Sequence, residues 1–297
     1  MSPYFLIIGC ALIFTGQTIS FKLFSAGYRR GHASHFLNNI FFLGIVVLIC
    51  GAVYGFSGPV NPETYIYASL FGIFWILSIL FLVQAMTMGP TGMVMLFFSF
   101  GIIIPVIADL AILGTVIRIF QIVGIVLLFV SFYIGNKPVA GEKKGISLRF
   151  IALCIAAFLF NGSVMATAKL HQGAMPGVDV QVFVLLGFIV GTIASAILFV
   201  YFHIKESKKE KISYMYMFKA PMYYVSVIGS GVTTAFGNLL MLAAASLVPA
   251  AIQFPLMNGG TSIITAFLSI FLFKEKFTKK TAVVFVVGIA ALIIINL

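Results

Sequence analysis

The chain has 297 residues, of which 62% are hydrophobic and 8% charged, with a mean hydropathy of +1.17. A soluble fold of this length needs about 25% charged residues to cover its surface, so a soluble enzyme or binding domain is excluded. Lys and Arg number 18 against 7 Asp and Glu, a net charge of +11, which in a membrane protein is loop charge that sets orientation rather than a nucleic-acid surface.

A helix crossing the bilayer needs about 20 mainly apolar residues. Ten such runs follow one another: 4–24, 36–55, 65–87, 91–113, 117–135, 149–170, 179–202, 223–245, 250–272 and 281–297. The breaks carry turn chemistry or charge, among them Gly58-Pro59, Gly89-Pro90, Pro176-Gly177 and the Lys-rich stretch 205–211. The first run lacks a basic leader and a small-residue exit, so it reads as a retained span and not a cleaved signal. The runs are continuous instead of alternating, which excludes a β-barrel. Cys10, Cys50 and Cys154 lie inside apolar runs, with neither disulfide nor metal-ligand spacing. The predicted fold is an all-α integral membrane protein of ten transmembrane helices.

Sixteen of the eighteen basic residues follow odd-numbered spans; Arg118 and Lys169 are the two on the other side. The positive-inside rule then makes the odd loops cytoplasmic and puts both termini outside the cytoplasmic membrane.

Sliding the chain on itself reveals a weak repeat. An offset of 159 places Gly72 on Gly231, Ala85 on Ala244, Pro90 on Pro249 and Gly101 on Gly260, and an offset of 147 places Lys22-Leu23 on Lys169-Leu170. Two five-helix halves are predicted, residues 1–136 and 148–297, joined by a polar linker at 137–147. An odd number of helices per half turns the second half upside down in the membrane, and the reversed charge bias of corresponding loops agrees. Inverted repeats place a substrate site near the midplane where the halves meet, exposed alternately to each side.

The motifs resemble the drug/metabolite transporter superfamily, in its ten-helix EamA-like branch, and within that superfamily the small multidrug resistance proteins. Met1-Ser-Pro-Tyr4 through Lys22 and Ser25-Ala-Gly27 is similar to their first helix. Leu82-Val-Gln84, Pro90-Thr-Gly92 and Phe98-Ser99 are similar to their second-to-third helix signature, matched in the second half by Pro249-Ala-Ala-Ile252 and Met257-Asn-Gly-Gly260. Lys274-Glu-Lys-Phe277 through Asn296-Leu297 resembles their last loop and helix. The small relatives carry a membrane glutamate eight residues before the first-helix lysine; the corresponding positions here are Phe14 and Asn161, neither of which ionises. The resemblance therefore does not extend to proton-coupled cation export through that glutamate. Phe98 and Met257 stand where a tryptophan is usual. The resemblance implies cytoplasmic termini, opposite to the loop charges.

Polar groups inside a bilayer are costly and mark contacts. Asn161 is mid-span, an amide able to donate and accept toward a zwitterion or sugar, or to make an interhelical hydrogen bond of about 0.6–2 kcal/mol. Gln17 is the ligand candidate at the matching site, whereas Thr15 reads as bonded to its own helix. Trp75 is mid-span, a cavity wall or a helix contact. Gln84, Asn238, Gln253 and Asn258 lie on the third, eighth and ninth spans. Asn258 beside Gly259-Gly260, with Ser99 at the equivalent place, reads as site or close packing. Asp109, the acidic residue well inside an apolar run, is the candidate proton or cation carrier, set against a local role near Arg118. Lys22 and Lys169 snorkel at span ends or turn inward toward an anion. Tyr133, Tyr223 and Tyr224 read as interfacial, Pro105 and Pro255 as kinks, Asp179 as a cap of the seventh span, Glu275 as a loop residue and His171 as a membrane-edge residue.

Substrate contact is thus expected from Asn161, Gln17, Trp75, Phe98, Asn258, Asn238 and Gln84, with H+ or Na+ as coupling ion at Asp109. The absence of a phosphate loop, nucleophile elbow or metal spacing argues against an enzyme and against a cofactor. The expected function is secondary transport of a small organic metabolite, an amino acid or other zwitterionic or amphipathic solute, or a quaternary amine held by aromatic faces. A flippase for a lipid-linked substrate and a non-transporting membrane subunit are the alternatives. One chain supplies both halves, so a monomer suffices, and a homodimer is compatible.

Overall fold

The computed structural model describes residues 3–28, 30–54, 60–88, 94, 97–98, 100–135, 147–208, 213–272 and 279–295. The described residues form helices: α1 Pro3–Gly27, α2 His32–Tyr54, α3 Pro62–Met88, α4 Ile103–Ile112 behind a 3-10 turn at Phe100–Ile102, α5 Ile119–Gly135, α6 Leu148–Ala174, α7 Val180–Ser207, α8 Pro221–Ala245, α9 Ala250–Leu272 and α10 Lys279–Ile295. One helical turn at Met215–Phe218 precedes α8. Among the described residues, six helices are long and apolar enough to cross a membrane, in α1, α2, α3, α6, α7 and α8, and Phe100–Ile112, Ile119–Ser131 and Val286–Ile295 are shorter apolar helices. Ser99, Glu275, the Pro90 motif and most of the predicted linker lie outside the described residues.

Several helix starts follow from local chemistry. Asn61 caps α3: its side-chain oxygen accepts from Glu63 N at 3.0 Å, and Pro62 fills the first position, where no N–H is needed. Ser147 caps α6, accepting from Phe150 N at 3.1 Å. Pro221 opens α8 in the same way. Gly177, at φ 75°, supplies the left-handed residue that the α6–α7 turn requires.

One proline reading needs correction. Pro105 sits in the first turn of α4, where proline costs no helical hydrogen bond, so it interrupts nothing. Pro255 lies inside α9, as read from sequence.

Helices pair across the two predicted halves. α1 packs on α8 and α9, α2 on α7 and α8, α3 on α6 and α7, α4 on α6 and α9, and α5 on α10. Small residues allow the closest approaches, since between helices in lipid the attraction is packing and not exclusion from water. A Cβ on Gly72 of α3 would fall on the Gly187 carbonyl oxygen of α7, and a Cβ on Gly231 of α8 would lie 3.0 Å from the Phe42 carbonyl oxygen of α2. The interior they close is apolar, with Phe42, Phe71, Phe183, Phe188 and Phe254 fully buried. Leu48, Ile66, Ile112, Ile197 and Val286 point outward and are exposed. In water such a surface would drive aggregation; in a bilayer it is the lipid contact.

Candidate functional site

The sequence-predicted residues fall into two polar patches and a ring cluster. In the first patch Asn161 and Met165 stand one turn apart on α6. Asn161 Nδ2 donates to the Phe98 carbonyl at 3.0 Å, just before the 3-10 turn that leads into α4. Asn258 of α9 donates to the Phe254 carbonyl at 3.0 Å and reaches Met165 Sδ at 3.7 Å. Asn161, Phe98 and Asn258 thus converge on the faces of α4, α6 and α9. All three are half-buried.

The second patch lies between α1 and α8. Gln17 Nε2 donates to Thr234 Oγ1, and Asn238, one turn further on, donates to the Thr234 carbonyl at 2.8 Å. Thr15 bonds its own helix at Ala11, as read from sequence. The Ala11 carbonyl also accepts from Thr261 of α9 at 3.2 Å, so α1 touches both neighbours through polar groups.

Trp75 belongs to neither patch. Its ring lies edge-on to Phe42 of α2 at 5.8 Å and Phe188 of α7 at 5.9 Å, a helix contact. Gln84 is half-buried near the end of α3. Gln253 is buried and donates to the Met241 carbonyl at 2.6 Å, tying α9 to α8. Gly259 and Gly260 are packing positions against Leu292, Leu128 and Ala11.

Asp109 and Lys169 do something the sequence did not reveal. Lys169 does not snorkel: it is buried, and its Nζ donates to the Ala245 and Val248 carbonyls at 2.8 Å each. Its partner is Asp109, 3.8 Å away and 1% exposed. The other Asp109 oxygen accepts from Ala250 N at 2.6 Å. The cation therefore meets the last carbonyl of α8 and one in the α8–α9 link, and the anion the first N–H of α9, each complementing its helix dipole. One pair joins α4 of the first half to α6, α8 and α9 of the second.

A second polar bridge lies nearby, at the head of α3. Asp179 does not cap α7 through its side chain; its Oδ2 accepts from Asn61 N at 2.8 Å and Thr64 Oγ1 at 3.0 Å. Thr64 also meets His171 Nε2 at 3.0 Å. His171 is fully buried in the protein, three residues before the end of α6. Thr64 was missed from the sequence; its place three residues after the Asn61 cap, in an otherwise apolar helix start, was the available signal. Tyr223, in the first turn of α8, is also buried, among the rings of Phe24, Tyr28 and Phe218. At the opposite end Glu206 of α7 accepts from His32 N at 2.9 Å and caps α2 across the halves. A surface cleft bounded by Tyr4, Arg118, Gln121, Pro249 and Ile252 lies beside the start of α9.

No group of His, Cys, Asp and Glu among the described residues is arranged to hold a metal ion.

Three comparisons place this geometry. A solved structure described as a crystal structure of a protein superposes with a TM-score of 0.74 over 100% of this chain and 99% of its own, at 12% identity, which speaks to the fold. No curated protein matches in sequence. The model of the EamA-like transporter family matches residues 148–297. An apolar, all-helical chain carrying that match over its second half belongs to the EamA-like transporter family, a membrane transporter of the drug/metabolite transporter superfamily.

Proposed function

We propose that the chain is a secondary transporter of a small organic metabolite, working by alternating access between two inverted five-helix repeats, 1–136 and 148–297, across the cytoplasmic membrane. The observation that carries this is the pairing of the helices. Exchanging each helix for the one five places away turns α1·α8 into α6·α3, α1·α9 into α6·α4 and α3·α7 into α8·α2, while α2·α7, α4·α9 and α5·α10 map onto themselves. Gly72 and Gly231, equivalent under the offset read from sequence, occupy equivalent crossings. A chain whose main contacts between halves survive exchange of those halves can exchange two states of similar energy, as alternating access requires. The family match begins where the second repeat begins.

The substrate contacts are the polar patch of Asn161, Phe98 and Asn258 together with Gln17 and Asn238 from the facing helices. Each amide donates inside the protein through its nitrogen and retains its oxygen as an acceptor for a ligand. Uncharged amides beside aromatic walls suit a zwitterionic or amphipathic solute. Trp75 and Gln84 contribute to packing near this region. Asp109 as cation carrier would have to exchange Lys169 for the coupling ion.

The test is solute-induced current in proteoliposomes with amino acids, quaternary amines, sugars and nucleosides, run beside Asn161→Ala. A saturable current for one class, reduced at least about tenfold in the variant (about 1.4 kcal/mol of binding), is the expected result. A current that the variant leaves intact would reject Asn161 as a contact. Silence for every class, in current and in counterflow of labelled solute, would reject the substrate class.

A further inference from the structure

We propose that His171 is a proton-binding site whose protonation releases the bridge between α3 and the α6–α7 turn, a reading that rests on the transporter proposal only for its consequence in transport. The hydrogen bonds fix the state of the ring. Gln172 Oε1 accepts from Gly177 N at 3.0 Å, and Gln172 Nε2 donates to the Val178 carbonyl at 3.1 Å, so the orientation of this amide follows from its two backbone partners. The same Nε2 faces His171 Nδ1 at 2.9 Å. An amide nitrogen only donates, so Nδ1 carries no proton. The neutral ring then holds its proton on Nε2, donates to Thr64 Oγ1, and the Thr64 hydroxyl donates to Asp179 Oδ2. The chain of donors runs one way, from Gln172 to the carboxylate of Asp179.

The neutral ring has a single place for a further proton, Nδ1. A proton bound there sets two N–H groups against each other, and the Gln172 bond is lost. Gln172 is the side chain that holds both Gly177 and Val178, so losing its orientation frees the turn. The imidazolium still donates to Thr64, and the Asp179 carboxylate beyond it compensates the added charge. Nothing leaves when the proton binds; the cost falls on the turn.

The surroundings make His171 the responsive group at this end. Tyr67 of α3 and Phe183 of α7 pack on its ring at 5.7 and 4.6 Å. The charged groups nearby are Asp179 at the head of α7, the exposed Glu63 on α3, and Lys169 of α6 with its α4 partner Asp109. Asn61 and Thr64 belong to the first predicted half, His171, Gln172 and Asp179 to the second. Protonation therefore acts on a contact between the halves.

Backbone hydrogen exchange in lipid nanodiscs tests this without a substrate. As pH falls from about 8 to about 4, exchange over residues 173–179, corrected for the intrinsic rate, rises about tenfold or more. In His171→Gln, whose amide still donates to Thr64 but does not titrate, the rise is absent. In Gln172→Leu exchange is fast at every pH, because acid has no bond left to break; this variant decides the matter should His171→Gln fail to fold. A flat profile in the unsubstituted protein, or a pH step that survives either variant, overturns the proposal. His32, His35 and His203 belong to the opposite end, so the peptide at 173–179 reports on His171. A positive exchange step with no transport of any solute would remove the transporter reading and leave this site standing.

Discussion

Lys169 is the residue at which burial, charge and helix geometry meet. An ammonium group withdrawn from water among packed helix ends is tolerated only with its partners in place, and here these are two carbonyls and a carboxylate. Lys169→Met removes all three contacts and strands Asp109, which keeps only the Ala250 N–H. Breaking a buried pair from one side costs about 3–5 kcal/mol. The double variant Lys169→Met with Asp109→Asn recovers a large part of that loss, since an amide oxygen still accepts from Ala250 N while the unpaired charge is gone. Denaturant titration in micelles measures both; a double variant less stable than Lys169→Met would refute the pairing. The sequence marked Asp109 and Lys169 as residues of interest, because a charge within an apolar run is visible by inspection. It could not match them: the 59 residues between them carry no signal of which helices meet. The same holds for His171, whose partners Thr64 and Asp179 come from two other elements.

Among the elements, the α3–α7 crossing is where the fit is tightest. Gly72 lets the α3 backbone rest on α7 at Gly187 and Gly191, two small residues one turn apart. Gly72→Val would force backbone from backbone, since no flexible side chain is there to yield. Overpacking of this kind costs about 1–3 kcal/mol or more. Gly44, mid-α2, has open space where its Cβ would go, so Gly44→Ala stabilises by about 0.5–1 kcal/mol through helix propensity alone. Equal effects at the two positions, in the same unfolding assay, would remove the crossing as an explanation. Helix starts rest on local chemistry at Asn61-Pro62, Ser147 and Pro221, and the spans read from sequence, beginning at 65, 149 and 223, fell within three residues of them. Gly72 and Gly231 were legible as a repeated pair but not as crossings. Trp75 shows the limit. Its mid-span position excluded an interfacial belt, yet only the rotation of α3 decides that it faces Phe42 and Phe188 rather than the Asn161 patch.

At the scale of the whole molecule the open question is which end faces the cytoplasm, and burial sharpens the charge count. Lys169 was one of two basic residues assigned to the less basic side, but its charge is consumed inside the protein by Asp109 and helix carbonyls. Arg118 remains there alone against sixteen. The positive-inside rule counts charges that sit in short loops and must be held back from translocation, so a buried, neutralised lysine drops out and the bias grows. Both termini are then expected outside, against the orientation implied by the resemblance to the ten-helix branch. The choice also sets the side from which His171 senses protons, because the α6–α7 turn lies at the end away from the Lys-rich loops. A protease-cleavable tag on the C-terminus of the chain, expressed in intact cells, is expected to be cut from outside without permeabilisation. Replacing Lys274, Lys276, Lys279 and Lys280 together by Gln is expected to give a mixed population, since these four residues are the basic charges nearest that terminus. A tag protected in intact cells and cut only after the membrane is opened would reverse the orientation, and with it would place Asp179, Thr64 and His171 on the cytoplasmic side, where they would answer to internal and not external pH.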